Sequence, residues 1–432
     1  MKTRPAIMAL CMSMIARSGA AESAIFDPDP AHPWNRLWNV FYAVPESTGH
    51  RFGPEELDFP LGTNTEQLLS GPKHSEALAL LDSFIEEDQE GLVRGPLQRA
   101  VLQRDLWAAF DWAANPAGDH QTERRALQHR LAKIIQRLAL SAEQIRALPD
   151  NYKAAVNSRG FPAGYDKSRR DAPFLPPDLL AADGPWVLLI DSHTRPTARR
   201  HVEFAEGRSV FTVYLNLPGG RQSTLDYVKK LMWFPEPWVW EPNFSSFPYA
   251  RPPVALNPEL PQFPQGTKVA LLRQTVLIDN QGNLVPARLT ESLQIRVYRL
   301  DPKGATFSDP ANQDVFEFRL RRRDAFAGRT GGLRVVETDE EDFSNLSAVF
   351  GEGGRYSKEP LKPAAPLAMC RNCHPGAGIF SVMTYARVGG PTTRRTPWLE
   401  AGRFDWEATQ TIQWKQQHYS WGLLRGLCSQ QP

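Results

Sequence analysis

The sequence predicts an α+β protein: an N-terminal helical bundle, a β-rich antiparallel middle domain and a mainly helical C-terminal segment. A change of period carries that reading. Apolar residues recur at helical spacing from about residue 73 to 157, then alternate with polar ones from about 185 to 337. A chain of 432 residues also exceeds what one core usually supports, so two or three domains are expected. The boundaries fall at 33–157 for the helical domain, 185–355 for the β-rich domain and 360–432 for the C-terminal segment.

The elements follow in order. Trp34 to Tyr42 is rich in aromatic residues and reads as packing onto a neighbouring domain. Leu78, Leu81 and Ile85 share one helical face; Leu102, Leu106, Ala109 and Phe110 share another; Leu127, Leu131, Ile134, Ile135 and Leu138 a third. Ser141 with Gln144 three residues on forms a capping box. His120 and His129, on or beside the third helix, read as solvent-facing. Gly160 to Gly184 reads as an irregular excursion.

Pro185 to Asp191 and Val210 to Leu215 are strand runs, with a helix over Gln222 to Met232. Trp233 to Pro264 has no period and is expected to be long loops. Val269 to Ile278 leads through Asp279-Asn280-Gln281-Gly282-Asn283, a hairpin turn, into a strand from Leu284. Leu293, Ile295 and Val297 alternate with Gln294 and Arg296, and Phe316, Phe318 and Leu320 with Glu317, Arg319 and Arg321. That alternation places one face of the sheet on a core and the other in water. A C-terminal helix is expected from about Trp406 to Leu424.

Chemistry concentrates in Cys370-Arg371-Asn372-Cys373-His374. Two thiols in a C-x-x-C-H run can add across the two vinyl groups of one haem while the histidine turns under the macrocycle onto iron. The N-terminus agrees with that reading. Lys2 and Arg4 precede the apolar Ala6 to Ala16 and the small residues around Ser18-Gly19-Ala20, so residues 1–21 read as a signal peptide. No later stretch approaches the length of about 20 apolar residues that spanning requires, so no transmembrane span is expected in the mature chain.

Of four cysteines, Cys11 lies in the signal, two form the motif, and Cys428 is single. A disulfide framework is therefore not expected. The pair remains open to thioether attachment of haem, to a dithiol redox site or to a structural zinc, which wants four ligands. On Cys370 to His374 the chain resembles c-type cytochromes. The resemblance implies one covalent haem c, with Cys370 and Cys373 as thioether anchors and His374 as proximal iron ligand. It also implies attachment outside the cytoplasm, in a periplasmic or otherwise exported protein.

The resemblance leaves the sixth iron position open. Small monohaem cytochromes commonly supply a methionine downstream, and the only methionine after the motif is Met383, nine residues past His374. His418 in the C-terminal helix is the other nearby candidate. A remote histidine or an open position complete the alternatives. Arg394 and Arg395 follow the motif and can pair with the haem propionates; Arg321-Arg322-Arg323 can do so too, but reads better as surface charge. Glu337 to Asp342 reads as a solvated acidic loop.

A formal net charge of +2 gives no reason to expect nucleic acid as partner. Hydrophobic residues at 41% and charged residues at 23% exclude overall disorder, while 37 prolines imply many irregular loops. No H-E-x-x-H, G-x-S-x-G, P-loop or dinucleotide fingerprint occurs. The expected role is electron transfer with a redox partner protein. The alternatives are a haem enzyme, peroxidase-like or acting on a small substrate, and a haem-free exported binding protein with a redox dithiol. Asn243-Phe244-Ser245 and Asn345-Leu346-Ser347 match glycosylation acceptors.

Overall fold

Wherever the spacing is helical, the chain is a helix. The computed structural model describes residues 26–41, 68–116, 118–240, 254–299, 312–340, 365–374, 378–382 and 399–429. The signal segment, Met383, Arg394, Arg395 and the two glycosylation motifs lie outside them. Helix α1 (Pro33–Phe41) buries Trp34, Leu37, Trp38 and Phe41. Helix α2 (Gly71–Glu86) and α3 (Pro96–Ala113) each start with proline in the first turn, where its missing N–H costs nothing. Helix α4 (Gln121–Leu138) buries the five apolar residues that predict it. Short α5 (Ala142–Arg146) opens with both bonds of the capping box between Ser141 and Gln144, and α6 (Asn151–Ser158) is capped by Asp150. His120 and His129 are exposed.

The second half is built on an antiparallel sheet. Strand β1 (Val187–Asp191) leads through helix α7 (Arg199–Phe204) to β2 (Ser209–Asn216), followed by α8 (Gly220–Met232). Within the segment expected to be loops, β3 (Trp238–Trp240) and β4 (Val254–Leu256) pair as a small ribbon of their own. Strand β5 (Lys268–Ile278) turns into β6 (Leu284–Tyr298), and β7 (Gln313–Leu320) follows. The β5–β6 turn is held by the Asp279 carboxylate, which accepts from the backbone N–H groups of Gln281 and Asn283, with Gly282 in the left-handed region.

Helix α9 (Arg322–Phe326) and β8 (Leu333–Val335) complete the middle region. The last part contributes α10 (Pro366–Cys373), β9 (Leu399–Ala401), α11 (Phe404–Gln416) and α12 (Tyr419–Ser429). The expected single C-terminal helix is thus two, broken at Gln417 and His418. The main sheet runs in the order β8-β7-β6-β5-β2-β1-β9, so its edge beside β1 is closed by the strand that comes last in the chain.

The architecture is α+β, and its parts share cores. The far end of the β5–β6 hairpin, through Val276, Leu277, Leu284 and Val285, packs into the helical bundle together with Trp421 and Leu424 of α12. One sheet face, including Leu272, Leu293, Ile295, Phe316 and Phe318, is covered by Tyr152, Phe174, Leu175, Leu179 and Trp186. Tyr152 comes from α6, Phe174, Leu175 and Leu179 from the segment 160–184 that the sequence presents as an irregular excursion, and Trp186 from the approach to β1.

The opposite face is not in water, contrary to what alternation alone implies. Helix α7 covers Phe211 through Ala198, Val202 and Ala205; α8 and residues 379–382 cover Val187, Leu189, Leu215 and Val269; α10 covers Val315. Polar residues on β6 and β7 therefore point into an interior, and Glu317 is only 3% exposed. The alternation reports polarity correctly and says nothing about what lies above it.

Arg322 overturns its reading as surface charge. Its side chain is fully buried and forked onto Asp105 of α3, with Trp38 beneath the guanidinium. Removing one member of a buried pair strands the other charge, a loss of about 3–5 kcal/mol. Asp105→Ala is expected to lower unfolding stability in urea by about that amount. The double variant Asp105→Leu with Arg322→Met is expected to recover most of the loss. An additive double variant would contradict pairing.

Candidate functional site

The site lies on the second sheet face, where cross-strand register sets polar residues side by side. Leu271 pairs with Gln294 and Gln294 with Glu317; Val269 pairs with Arg296 and Arg296 with Val315. Alternation sends these side chains to one face. Two short helices rise over them: α10 at the β7 side, carrying the thiols, and α7 above β2, carrying His201.

Helix α10 is positioned by its apolar side. Leu367 and, partly, Cys370 pack on Val315 and Val336. Proline opens the helix and His374 closes it, its N–H bonded to the carbonyl of Cys370. Burial, then the nearby Glu317 carboxylate, push the Cys370 thiol well above its ordinary range, against the pull of Arg319 and Arg296. Cys370, Cys373 and Cys428 are free of disulfides. A redox dithiol needs the opposite: an accessible sulfur with a depressed pKa.

His374 is fixed at both ends. Its carbonyl accepts from the Gln313 side chain at 3.1 Å, and its ring Nδ1 lies 2.8 Å from the carbonyl of Ser381. A carbonyl can only accept, so the proton sits on Nδ1 and the lone pair on Nε2, the tautomer of a metal-binding imidazole. Ser381 is held in turn by Tyr298 through its hydroxyl and by a bond to the carbonyl of Gly378.

The ring that faces His374 is His201. The two ring centroids are 6.3 Å apart and the planes differ by 4°. His201 also leans on Phe211, with centroids 5.4 Å apart. Among the described residues neither ring nitrogen of His201 has a hydrogen bond. Burial, then the positive charge of Arg296, lower its pKa to about 4, so the ring is neutral at physiological pH. Nothing in Arg199-Arg200-His201 marks that residue in the sequence. Only the β1–α7–β2 topology carries it to a motif 169 positions later.

His418, the other histidine expected near the site, packs at a tilt of 38° against Trp414 with centroids 3.8 Å apart, at the break between α11 and α12. The candidates Met383, Arg394 and Arg395 fall outside the described residues. An anion partner not foreseen is Arg296, whose Nη1 is buried with no hydrogen-bond partner. One oxygen of Glu317 is held by Arg319 at 2.7 Å, and its other oxygen is likewise buried and unpartnered.

A haem c asks for two thiols, one axial imidazole held through its far nitrogen, and a cation for a propionate. Cys370, Cys373, His374 and Arg296 meet those demands. Among the described residues no group of three or more histidine, cysteine, aspartate or glutamate side chains is placed to hold a metal ion by itself. A porphyrin iron needs no such group, because the macrocycle supplies four ligands. No protein-family model, no curated protein and no solved structure matches this chain.

What holds His201 in place is a buried turn. Thr197, four residues earlier, accepts from the N–H of Asp191 and donates to the Glu407 carboxylate of α11, which also accepts from the Thr197 N–H. Asp191 is itself met by Arg195 at 2.6 Å and by His193 at 3.5 Å. At the other end of α7, Gly207 adopts a positive φ and returns its N–H to Val202; a Cβ there would lie 2.8 Å from that of Lys415. Both ends are thus clamped to α11.

Burial raises the Glu407 pKa from 4.5 to about 7; the Thr197 bonds oppose the shift and the Asp191 charge adds to it. The folded form holds its proton where the unfolded form has lost it, so stability falls as pH rises from about 4.5 to 7. The loss is on the order of 3 kcal/mol. Glu407→Gln is expected to flatten that part of the profile in urea melts at closely spaced pH. An unchanged slope would place the titration elsewhere.

Proposed function

We propose that this chain is an exported monohaem c-type cytochrome-like protein that acts in electron transfer with a redox partner protein. The observation that supports it most is the seating of the C-x-x-C-H motif. Its histidine is fixed through Nδ1 on a backbone carbonyl, at the end of a helix whose thiols lie over an enclosed, polar sheet face. Cys370 and Cys373 would each add their S–H across one vinyl group, the sulfur bonding to one vinyl carbon and the hydrogen going to its neighbour, with no oxidant or reductant consumed. When bound, the group supplies a one-electron couple at iron.

The chain's own residues do the rest. Cys370 and Cys373 anchor, His374 binds the metal through Nε2, and Arg296 neutralises a propionate that would otherwise be buried unpaired. The raised Cys370 pKa argues against a working dithiol.

Production of the full chain in a host with cytochrome c maturation tests this. The expected product carries one haem that survives acid acetone and stains a denatured band. Its pyridine haemochrome has the position of a macrocycle with both vinyl groups saturated. Cys373→Ser is expected to shift that band to a single-thioether position, and Cys370→Ser with Cys373→Ser to abolish covalent haem. Recovery of a wild-type chain without a Soret band, or with extractable haem, overturns the proposal.

A further inference from the structure

We infer that His201 is the second axial ligand of the iron that His374 binds, so that both axial positions are closed by imidazoles. The inference rests on the haem reading above. It decides between the two roles that reading leaves: a closed iron passes electrons, whereas an open one binds small molecules.

The geometry carries it. A metal–imidazole bond is about 2 Å long and the ring centre lies roughly 1 Å beyond the nitrogen. Two imidazoles on opposite sides of one iron therefore have centres roughly 6 Å apart. The observed 6.3 Å matches that separation. Aromatic pairs can occupy the same range of distances, so separation alone does not choose. Three further features do.

The first is chemical: one member of the pair is the histidine of a C-x-x-C-H motif, with its Nδ1 on the Ser381 carbonyl. The second is availability: His201 is partly exposed and neither ring nitrogen is committed to a described hydrogen bond, so a lone pair is open to a metal. The third is support. The α7 helix is tied at Thr197 to Glu407 and at Gly207 against Lys415, as expected for a ligand that must hold its position in both oxidation states.

The holoprotein tests this without any variant. Ferric wild type is expected to be low-spin and slow to bind cyanide. The 4° between the rings further predicts a rhombic low-spin EPR spectrum, because parallel imidazole planes split the iron d orbitals that perpendicular planes leave nearly degenerate. His201→Ala is expected to keep its covalent haem but become high-spin, to bind cyanide at once, and to return to low spin with added imidazole. His201→Met is expected to stay low-spin with a raised potential, as a thioether ligand gives.

A covalently loaded His201→Ala with the wild-type low-spin spectrum overturns the assignment, as does a high-spin wild type. Loss of the low-spin spectrum in His418→Ala, with His201→Ala unchanged, moves the ligand to His418 and overturns it too. If His201→Ala fails to accumulate, the wild-type EPR and the His201→Met potential still decide. Absence of covalent haem from wild type itself is a different result, which removes the cytochrome reading and this inference with it.

Discussion

Helix α3 buries three charged side chains, and each is neutralised by a different part of the molecule. Arg104 meets Glu291 of β6, Asp105 meets Arg322 of α9, and Asp111 meets both Arg208, just before β2, and Lys415 of α11. Glu291 takes a second guanidinium, Arg273, and hydroxyl bonds from Ser209 and Thr275. Buried charges tolerate little displacement, since each must keep its partner or bear its desolvation cost alone. One helix thereby fixes the register of bundle, sheet and C-terminal arm together. Such pairs are retained for geometry more than for strength, because apolar replacements of equal volume are often as stable.

That register reaches the candidate site by a short path. Lys415 holds Asp111 on one side, and its own backbone neighbourhood closes on Gly207 at the end of α7. Glu407, two turns earlier on the same helix, holds the beginning of α7 through Thr197. The sheet supplies the floor, and β7 with Tyr298 supplies the support for His374 through Gln313 and Ser381. The two facing imidazoles are thus carried by elements whose relative placement is set by the interior charges of α3.

Much of this was legible in the chain and some was not, for identifiable reasons. Helices α2 to α4 and strands β1, β2 and β5 to β7 follow from period, because apolar side chains at 3.6 or 2 residue spacing can be buried together in only one backbone form, while α5 follows from its capping box. The motif was legible because its five residues are contiguous. His201 was not: it lies on a six-residue helix without periodicity, and its meaning exists only once α7 has folded over the sheet. Arg322 misled because a run of three arginines looks solvated, and only Asp105, 217 residues away, makes the middle one an interior residue. The polar positions of β6 and β7 misled in the same way, since a strand records which residues are hydrophilic but not whether water or other elements of the chain cover them.

The half-burial of Cys370 has a consequence in time. In the folded chain its side chain packs toward Val315, Val336 and Leu367, beneath the very helix that bears it. A rigid macrocycle reaches that sulfur most readily before β7 and α10 have closed on each other. On the cytochrome reading, thioether formation precedes tertiary closure, and β9 with α11 completes the sheet edge and core around an already tethered group. On that reading early loading is favoured, because the closed chain leaves Cys370 only partly exposed.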